Sequence, residues 1–449
     1  MTHAFRPRKI VLFLGDLLFF GFALWLSLFL RAFEIPTREL FVAHVVPFSF
    51  LFLLWAFVFF IAGLYESRSI VLARRVLSTT LLVAQTINIS FAALFFFIVP
   101  YFGITPKTLL IIYLAVSFIL VLLWRVVIFP WLGLQKTENA LLVGEGKENE
   151  QLVRALTLAE RAPARVVTTI SPASPTLAQD VELALSQYGA SSIIADFNDS
   201  RVSEAFSKLY SSISSGIRFF DASELYEEVF GRIPLSVIDN NWLAQNVSRY
   251  SNTLYDNVKR ITDVVIAVPA ALISLVVYPF VALAIKIEDG GPVLISMQRV
   301  GEGGKPFNFY KFRSMSGNDK GQYGASGASK LYVTRVGKFL RTSRIDELPQ
   351  LWNILRGDLS LIGPRPEFPP LVEVYEKEIP YYGVRHLIKP GLSGWAQLYH
   401  HYDPHHATNV EATTMKLSYD LYYLKHRSLA LDLIIILKTV RRLLIKSNA

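Results

Sequence analysis

The chain has 449 residues and no cysteine, which excludes disulfides, thiolate catalysis and Cys-based zinc sites. Hydrophobic residues make up 52% of it and aromatic residues 13%, too apolar for an average soluble protein. The net charge is +9 and is concentrated from residue 251 onward, where 25 Lys and Arg face 17 Asp and Glu. Those charges are interleaved with acids and apolar runs and carry no nucleic-acid-binding signature, so nucleic acid is not an expected partner.

Four apolar runs occupy the first 130 residues: Ile10–Leu30, His44–Leu64, Thr79–Val99 and Thr108–Val127. Each has about the 20 residues that a helix needs to cross a hydrocarbon core, so residues 1–130 are expected to form a four-helix transmembrane bundle. The first run is too long for a cleaved signal peptide, and three more spans follow it. Arg6, Arg8 and Lys9 precede the first span, and Arg74 and Arg75 lie between the second and third. The opposite loops hold only Arg31, Arg38 and Lys107. The excess of basic residues places both ends of the bundle in the cytoplasm. Asp16, inside the first span, lies near that cytoplasmic end and is read as a structural, water-reaching acid rather than a functional intramembrane one.

Residues 138–245 have an α/β pattern. Ala140–Val143, Arg165–Ile170 and Ser192–Ala195 read as buried strands with helices between them, and this alternation predicts a Rossmann-like (CoA-binding-like) parallel sheet. Gly144-Glu145-Gly146 follows the first strand as a dinucleotide loop would. However, Asn149 stands at the third glycine position, and the second strand ends in Ile170-Ser171-Pro172 without the acid that would hold a ribose. A structural or dimerising domain, giving a homodimer, is preferred over a nucleotide site.

A third domain is expected over 256–449. Val258–Ile287 is one apolar run interrupted by Pro269 and Pro279, with Lys259 and Arg260 before it and Lys286, Arg299 and Lys305 after it. Basic residues on both sides and a proline bend predict a re-entrant helix that dips into one leaflet and returns, its break at Pro279. Ser274 and Tyr278 are candidate partners for backbone groups freed at the bend; a fifth full span is the alternative. Residues Ser316–Ser329, rich in Gly and Ser, read as a mobile segment over a donor site or as plain disorder. Leu429–Ile445, with Asp432, Lys438, Arg441 and Arg442 on a narrow polar side, reads either as an interfacial helix on anionic lipid or as an ordinary packed helix.

Within this domain Arg344-Ile345-Asp346-Glu347-Leu348-Pro349 sets two adjacent carboxylates between arginines and a Pro-bounded helix start, and Arg365 follows inside Ile362-Gly363-Pro364-Arg365-Pro366. Acids near a helix N-terminus often only compensate its dipole. Ionised acids with arginines that grip phosphate are also what phosphoryl transfer requires.

The ordered motifs from Asp256 to Val440 resemble the catalytic domain of bacterial sugar transferases, the polyprenyl-phosphate glycosylphosphotransferases. They are Lys259-Arg260, Gly291-Pro292-Val293, Gln298-Arg299-Val300-Gly301, Tyr310-Lys311-Phe312-Arg313-Ser314-Met315 and Thr334-Arg335-Val336-Gly337-Lys338-Phe339-Leu340-Arg341. Asp346-Glu347-Leu348-Pro349-Gln350-Leu351-Trp352-Asn353, Gly357–Pro366 and Lys389–Gln397 complete the series. The layout of the whole chain is similar to the large members that start exopolysaccharide, capsule or O-antigen synthesis. The resemblance implies transfer of a hexose-1-phosphate from a UDP-sugar to undecaprenyl phosphate, with release of UMP. It implies a catalytic domain on the cytoplasmic face of the bacterial inner membrane. It makes Asp346 the nucleophile of a covalent phosphosugar intermediate and the carboxylate ligand of Mg²⁺ (or Mn²⁺), with Glu347 assisting as a base or from the next shell. Arg341 and Arg365 would hold phosphates, and Lys311 and Arg313 would steer the nucleotide. The chain departs from the pattern in two places. Tyr278-Pro279 replaces the Ser-Pro of the smallest members. After Gln397, His400, His401, His405 and His406 replace an Asn-Gly-Arg-Asn run, and they read as a solvated loop or sugar-facing wall rather than a transition-metal site. Two other classes of function stay open: a membrane-anchored NAD-dependent nucleotide-sugar-modifying enzyme, and a non-catalytic scaffold of a polysaccharide assembly complex.

Overall fold

A computed structural model describes residues 5–62, 64–65, 74–98, 107–134, 138–158, 164–208, 216–246, 253–316, 332–400 and 408–446. The chain forms two compact units, residues 1–230 and 231–449. Among the described residues five helices are long and apolar enough to cross a membrane, covering 10–32, 38–60, 80–97, 108–132 and 254–289.

The first unit begins with helices α1 (Phe5–Ala32), α2 (Arg38–Ile61), α3 (Arg74–Ile98) and α4 (Lys107–Leu123), the last continuing as wider π-helical turns over Trp124–Ile128 and Pro130–Leu134. Their shared core is aromatic: Trp55 packs against Phe20, Phe48, Phe52 and Tyr113, with ring centroids 5.1–6.0 Å apart. Buried indole and phenol groups need hydrogen-bond partners, and here they find backbone: Trp55 Nε1 donates to Asn88 O and Tyr113 Oη to Phe20 O, each at 3.0 Å. Asp16 does not reach water as the sequence reading expects. It is fully buried and takes both Nε (3.0 Å) and Nη2 (2.5 Å) of Arg125, which also donates to Leu64 O at 2.8 Å. Arg125 sits on the first π-helical turn of α4. A partner so distant in sequence supplies the compensation that solvent was expected to give, and the acid ties α1 to α4.

The unit continues with β1 (Glu138–Val143), α5 (Lys147–Leu158), β2 (Ala164–Ile170), α6 (Leu177–Tyr188), β3 (Ser192–Ala195), α7 (Ser200–Lys208), β4 (Arg218–Asp221) and α8 (Ala222–Phe230). The four strands are parallel in the order β2-β1-β3-β4. Side chains alternate across β1. Ala140 and Leu142 pack with Leu152 and Leu156 of α5 and Leu225 of α8, whereas Leu141 and Val143 pack with Val181 of α6 and Val202 of α7. Asn149 donates to Glu145 O at 2.8 Å, and its amide lies 2.7 Å from where a Cβ on Gly144 would stand. The Gly-x-Gly loop is thus filled from its own helix.

The second unit starts earlier than the sequence pattern suggests. Residues 231–246, read above as the end of the middle domain, pack into it: Ile233 exchanges hydrogen bonds with Ser418, and Gly231 O accepts from Trp395 Nε1 at 2.6 Å. The apolar residues Ile233, Leu235, Val237 and Trp242 seek a core, and helix α9 (Asn240–Asn246) follows them.

Helix α10 (Thr253–Asp289) runs for 37 residues through both Pro269 and Pro279, so helical geometry is not broken at Pro279 as expected. Ser274 Oγ donates to Ala271 O at 2.7 Å rather than to the Leu275 carbonyl that Pro279 leaves free. One side of α10 is held along its length. Arg260 donates to Ile354 O (2.6 Å) and Leu355 O (2.8 Å), Ala267 and Ala271 enter a core with Phe309 and Leu351, and Val281 and Ile285 meet Phe312 and Leu340. At its end Glu288 accepts from the N–H groups of Arg335 (2.7 Å) and Val336 (3.2 Å). The other side exposes Ile261, Val265, Leu272, Ile273, Val276, Phe280, Leu283 and Ile287.

The rest of the unit consists of an antiparallel hairpin, β5 (Leu294–Val300) and β6 (Pro306–Phe312), then α11 (Arg335–Ser343), α12 (Gln350–Arg356), β7 (Ser360–Ile362), α13 (Pro369–Glu378), β8 (Gly391–Ser393), α14 (Trp395–Tyr399), α15 (Val410–His426) and α16 (Leu429–Lys446). Strands β7 and β8 approach so closely that a Cβ on Gly391 would lie 2.0 Å from Gly363 N. Helix α16 turns its polar side inward, which is the packed alternative rather than a polar face on anionic lipid. Asp432 accepts from Tyr255, Lys259 and Tyr423 at 2.7–2.9 Å, Lys438 bonds Tyr399, and Arg442 donates to Gln397 O. Leu429, Leu433 and Val440 face outward. Most of Ser316–Ser329, together with His401, His405 and His406, lies outside the described residues.

Candidate active site

Three local devices bring the charged residues together. Thr334 caps α11 by accepting from Gly337 N–H at 2.9 Å, and a Cβ on Gly337 would lie 1.9 Å from Ser314 O, so this helix rests on the chain that leaves β6. At its far end Arg344 adopts left-handed backbone (φ 59°), unusual for a side chain with a Cβ, and turns the chain into a 3₁₀ turn, Ile345–Glu347. Ile345 and Leu348 on either side of the acids pack against a core of Val281 and Ile285 of α10, Phe312 and Leu340. Asn353, fully buried on α12, accepts from Tyr310 N–H at 3.2 Å and donates to Asn308 O at 2.6 Å. This double bond clips α12 to β6 and brings Lys311 to the acids.

Lys311 Nζ stands 3.2 Å from Glu347 Oε1 and 3.7 Å from Asp346 Oδ2. Glu347 also faces Arg344 Nη1 at 3.3 Å and Arg365 Nη1 at 3.9 Å. The two neighbouring carboxylates are therefore pushed apart. Burial alone would raise Glu347, but Lys311, Arg365 and Arg344 overcome it and hold the group at about 2. Asp346 is raised above the ordinary carboxylate range, chiefly by burial and further by the negative charge of Glu347, against the pull of Lys311. Asp346 Oδ1 is buried and accepts no hydrogen bond among the described residues. A buried polar atom left in this way calls for an explanation. A carboxylate oxygen with open lone pairs beside a lysine can attack phosphorus or coordinate a cation.

The remaining sequence candidates lie at different places. Arg365 joins the acids directly. Arg341, near the end of α11, is exposed and donates through Nε to Ser314 Oγ at 3.0 Å. Arg313 is buried and ion-paired with Asp289 at the end of α10. Pro279 belongs to α10 and not to the charged cluster. Asn353, Arg385 and Gln350 have no role in the motif reading above. Gln350 is also buried, with an Nε2 that finds no partner among the described residues.

Among the described residues no group of three or more His, Asp or Glu side chains is arranged to hold a metal. The open Oδ1 of Asp346 is a hard oxygen donor of the kind magnesium takes, whereas Glu347 is already occupied by three cationic side chains.

A family model described as bacterial sugar transferase matches residues 254–446. A UDP-N-acetylgalactosamine-undecaprenyl-phosphate N-acetylgalactosaminephosphotransferase of Aeromonas hydrophila is 38% identical over 255 residues, 56% of this chain and 58% of that protein. A UDP-glucose:undecaprenyl-phosphate glucose-1-phosphate transferase of Caulobacter vibrioides is 42% identical over 195 residues, 42% of this chain and 71% of its relative. An uncharacterized sugar transferase of Bacillus subtilis is 35% identical over 191 residues, 42% of this chain and 89% of its own length. The match thus spans less than two thirds of the Aeromonas protein and most of the other two.

Proposed function

This chain belongs to the bacterial sugar transferase family, and from that premise we propose that it transfers a hexose-1-phosphate from a UDP-sugar to undecaprenyl phosphate at a membrane surface, releasing UMP. The observation that carries the reading is the buried, partly unsatisfied Asp346 set beside Lys311 and a Glu347 gripped by three cations.

The reaction proceeds in two displacements. Asp346 Oδ1 attacks the sugar-bearing phosphorus of the UDP-sugar; an Asp–O–P bond forms, the pyrophosphate P–O bond breaks, and UMP leaves with the electron pair. An oxygen of undecaprenyl phosphate then attacks the same phosphorus, breaks the acyl phosphate and regenerates the carboxylate. Splitting the transfer in this way lets the soluble leaving group depart before the lipid enters. Burial keeps Asp346 more basic than an ordinary carboxylate, which favours attack, while Lys311 keeps it ionised. Glu347, at about 2, is too weak a base to move a proton at neutral pH. Its part is to fix Lys311, Arg344 and Arg365 where phosphate charge collects. Arg341 and Arg365 grip phosphates and Lys311 guides the nucleotide, while Arg313, buried against Asp289, has a structural part. Asp346 would hold a Mg²⁺ or Mn²⁺ ion, which would supply positive charge against the phosphates.

Four spans of the first unit anchor the protein in the bacterial inner membrane. Helix α10 enters and leaves on the cytoplasmic side, since one of its faces rests on the catalytic unit from Arg260 to Glu288. The α/β region serves as a structural or dimerising domain, for Asn149 fills the loop that a dinucleotide would need. The product is the first lipid-linked sugar of an exopolysaccharide, capsule or O-antigen. The relatives' names differ in the sugar, so the test is a screen of UDP-sugars for UMP release with undecaprenyl phosphate. Release with one or a few sugars, lost in Asp346→Asn, supports the reading; no release from any of them overturns it.

A further inference from the structure

Four successive carbonyls hold the backbone that carries Arg365. Pro364 O accepts from Gly391 N–H and Glu367 O from Val300 N–H, each at 2.9 Å. Between them, Arg365 O accepts from Arg385 Nη2 at 2.8 Å and Pro366 O from Arg299 Nη1 at 3.1 Å. Pro364 and Pro366 have no N–H to give, so acceptors must do the anchoring here. Both donor arginines are buried, at 3% and 5% exposure. Arg385 is itself fixed, donating through Nε to Asp420 Oδ2 and through Nη1 to Tyr382 Oη, both at 2.9 Å. Arg299 lies 3.5 Å from the Phe368 ring centroid. Burying an arginine with a carboxylate is costly and seldom improves on apolar packing, so stability gives little reason for Arg385 and Asp420. What this pair does reach is the carbonyl of the residue whose guanidinium stands 3.9 Å from Glu347.

We propose that Arg385, held by Asp420 and Tyr382, is a positioning residue: through the Arg365 carbonyl it fixes the Arg365 guanidinium where the phosphates of the UDP-sugar bind. The proposal rests on the phosphosugar-transfer reading given above. Arg385 touches no reacting atom, so its effect must pass through Arg365. Lysine keeps the charge but loses the planar fork that serves three acceptors at once.

The test uses the full chain in lipid nanodiscs as wild type, Arg385→Lys, Arg365→Lys and the double variant. UMP release is measured across UDP-sugar concentrations, and UDP affinity by calorimetry. Arg385→Lys is expected to lower kcat/KM and UDP affinity by about 10- to 100-fold, the range for losing a charged hydrogen bond. In the Arg365→Lys background it should cost no more than about threefold further, because residues that act through one another do not add. Equal losses in both backgrounds, or none in either, would overturn the proposal. If Arg385→Lys does not fold, Tyr382→Phe removes one of its holders without changing charge. It should give a smaller loss that again vanishes without Arg365, and a folded Tyr382→Phe with unchanged kcat/KM and UDP affinity would count against the proposal. If wild type releases no UMP, the reaction assigned above fails, while the UDP-affinity cycle still decides the role of Arg385.

Discussion

Replacing Glu347 with glutamine substitutes a neutral amide of the same shape for a carboxylate that three cations hold ionised. It therefore mimics the protonated acid at every pH. The folded value of about 2 lies below the ordinary 4.5, and at about 1.4 kcal/mol per pKa unit the difference is worth on the order of 3 kcal/mol. The sign follows from the depression. This stability is fully present above about pH 4.5, where the unfolded side chain is also ionised, and it is lost as pH falls toward 2. A domain of this size moves about 2–4 °C per kcal/mol. Glu347→Gln should therefore lower the melting temperature of the second unit by about 6–12 °C at pH 7, with the same gap at pH 6. The gap between variant and wild type should narrow below pH 4.5. Intrinsic tryptophan fluorescence suits the measurement, since Trp352 and Trp395 lie in this unit. Equal melting temperatures at pH 7, or a gap that widens in acid, would show that Lys311, Arg344 and Arg365 do not grip this carboxylate.

Asp346→Asn should abolish UMP release and the phosphosugar adduct seen by intact-protein mass spectrometry. Its melting temperature should not fall, because burial already disfavours the charged form that asparagine removes; a variant with wild-type turnover would remove Asp346 from the chemistry. Turnover should stop in excess chelator and return with Mg²⁺ or Mn²⁺. Replacing His400, His401, His405 and His406 together should leave that metal requirement unchanged, and a lost requirement would place the ion there instead. Single cysteines at Asn257, Asp289 and Lys377 can be labelled without background, as the chain has none of its own. All three should resist an impermeant reagent outside intact cells and react once the membrane is opened. External labelling of Asp289 and Lys377 but not Asn257 would mean that α10 crosses fully.

Period and punctuation made much of the architecture readable. Runs of about 20 apolar residues located the long helices, and short β-rich runs between helical stretches located the strands of the parallel sheet. The charged motif around Asp346 and Glu347 was visible because two acids and several arginines stand close in sequence. Contacts between distant residues were not visible. Nothing near Asp16 announces Arg125, and nothing in Leu429–Ile445 shows that Asp432 meets Tyr255, Lys259 and Tyr423. The continuity of α10 was missed for another reason. A proline costs one hydrogen bond and adds one clash, and a helix bound to its neighbours along one whole side can absorb both. Arg385 stayed hidden because its partners are a backbone carbonyl and a buried acid, which leave no motif.

The turn that carries Asp346 packs, through Ile345 and Leu348, against a core to which α10 contributes Val281 and Ile285. On the function proposed above, with the exposed face of α10 in lipid, this packing would work as a depth gauge. The carboxylate would then ride at a constant height above the acyl chains, so a lipid acceptor would bring its head group to the chemistry without lifting its tail from the bilayer.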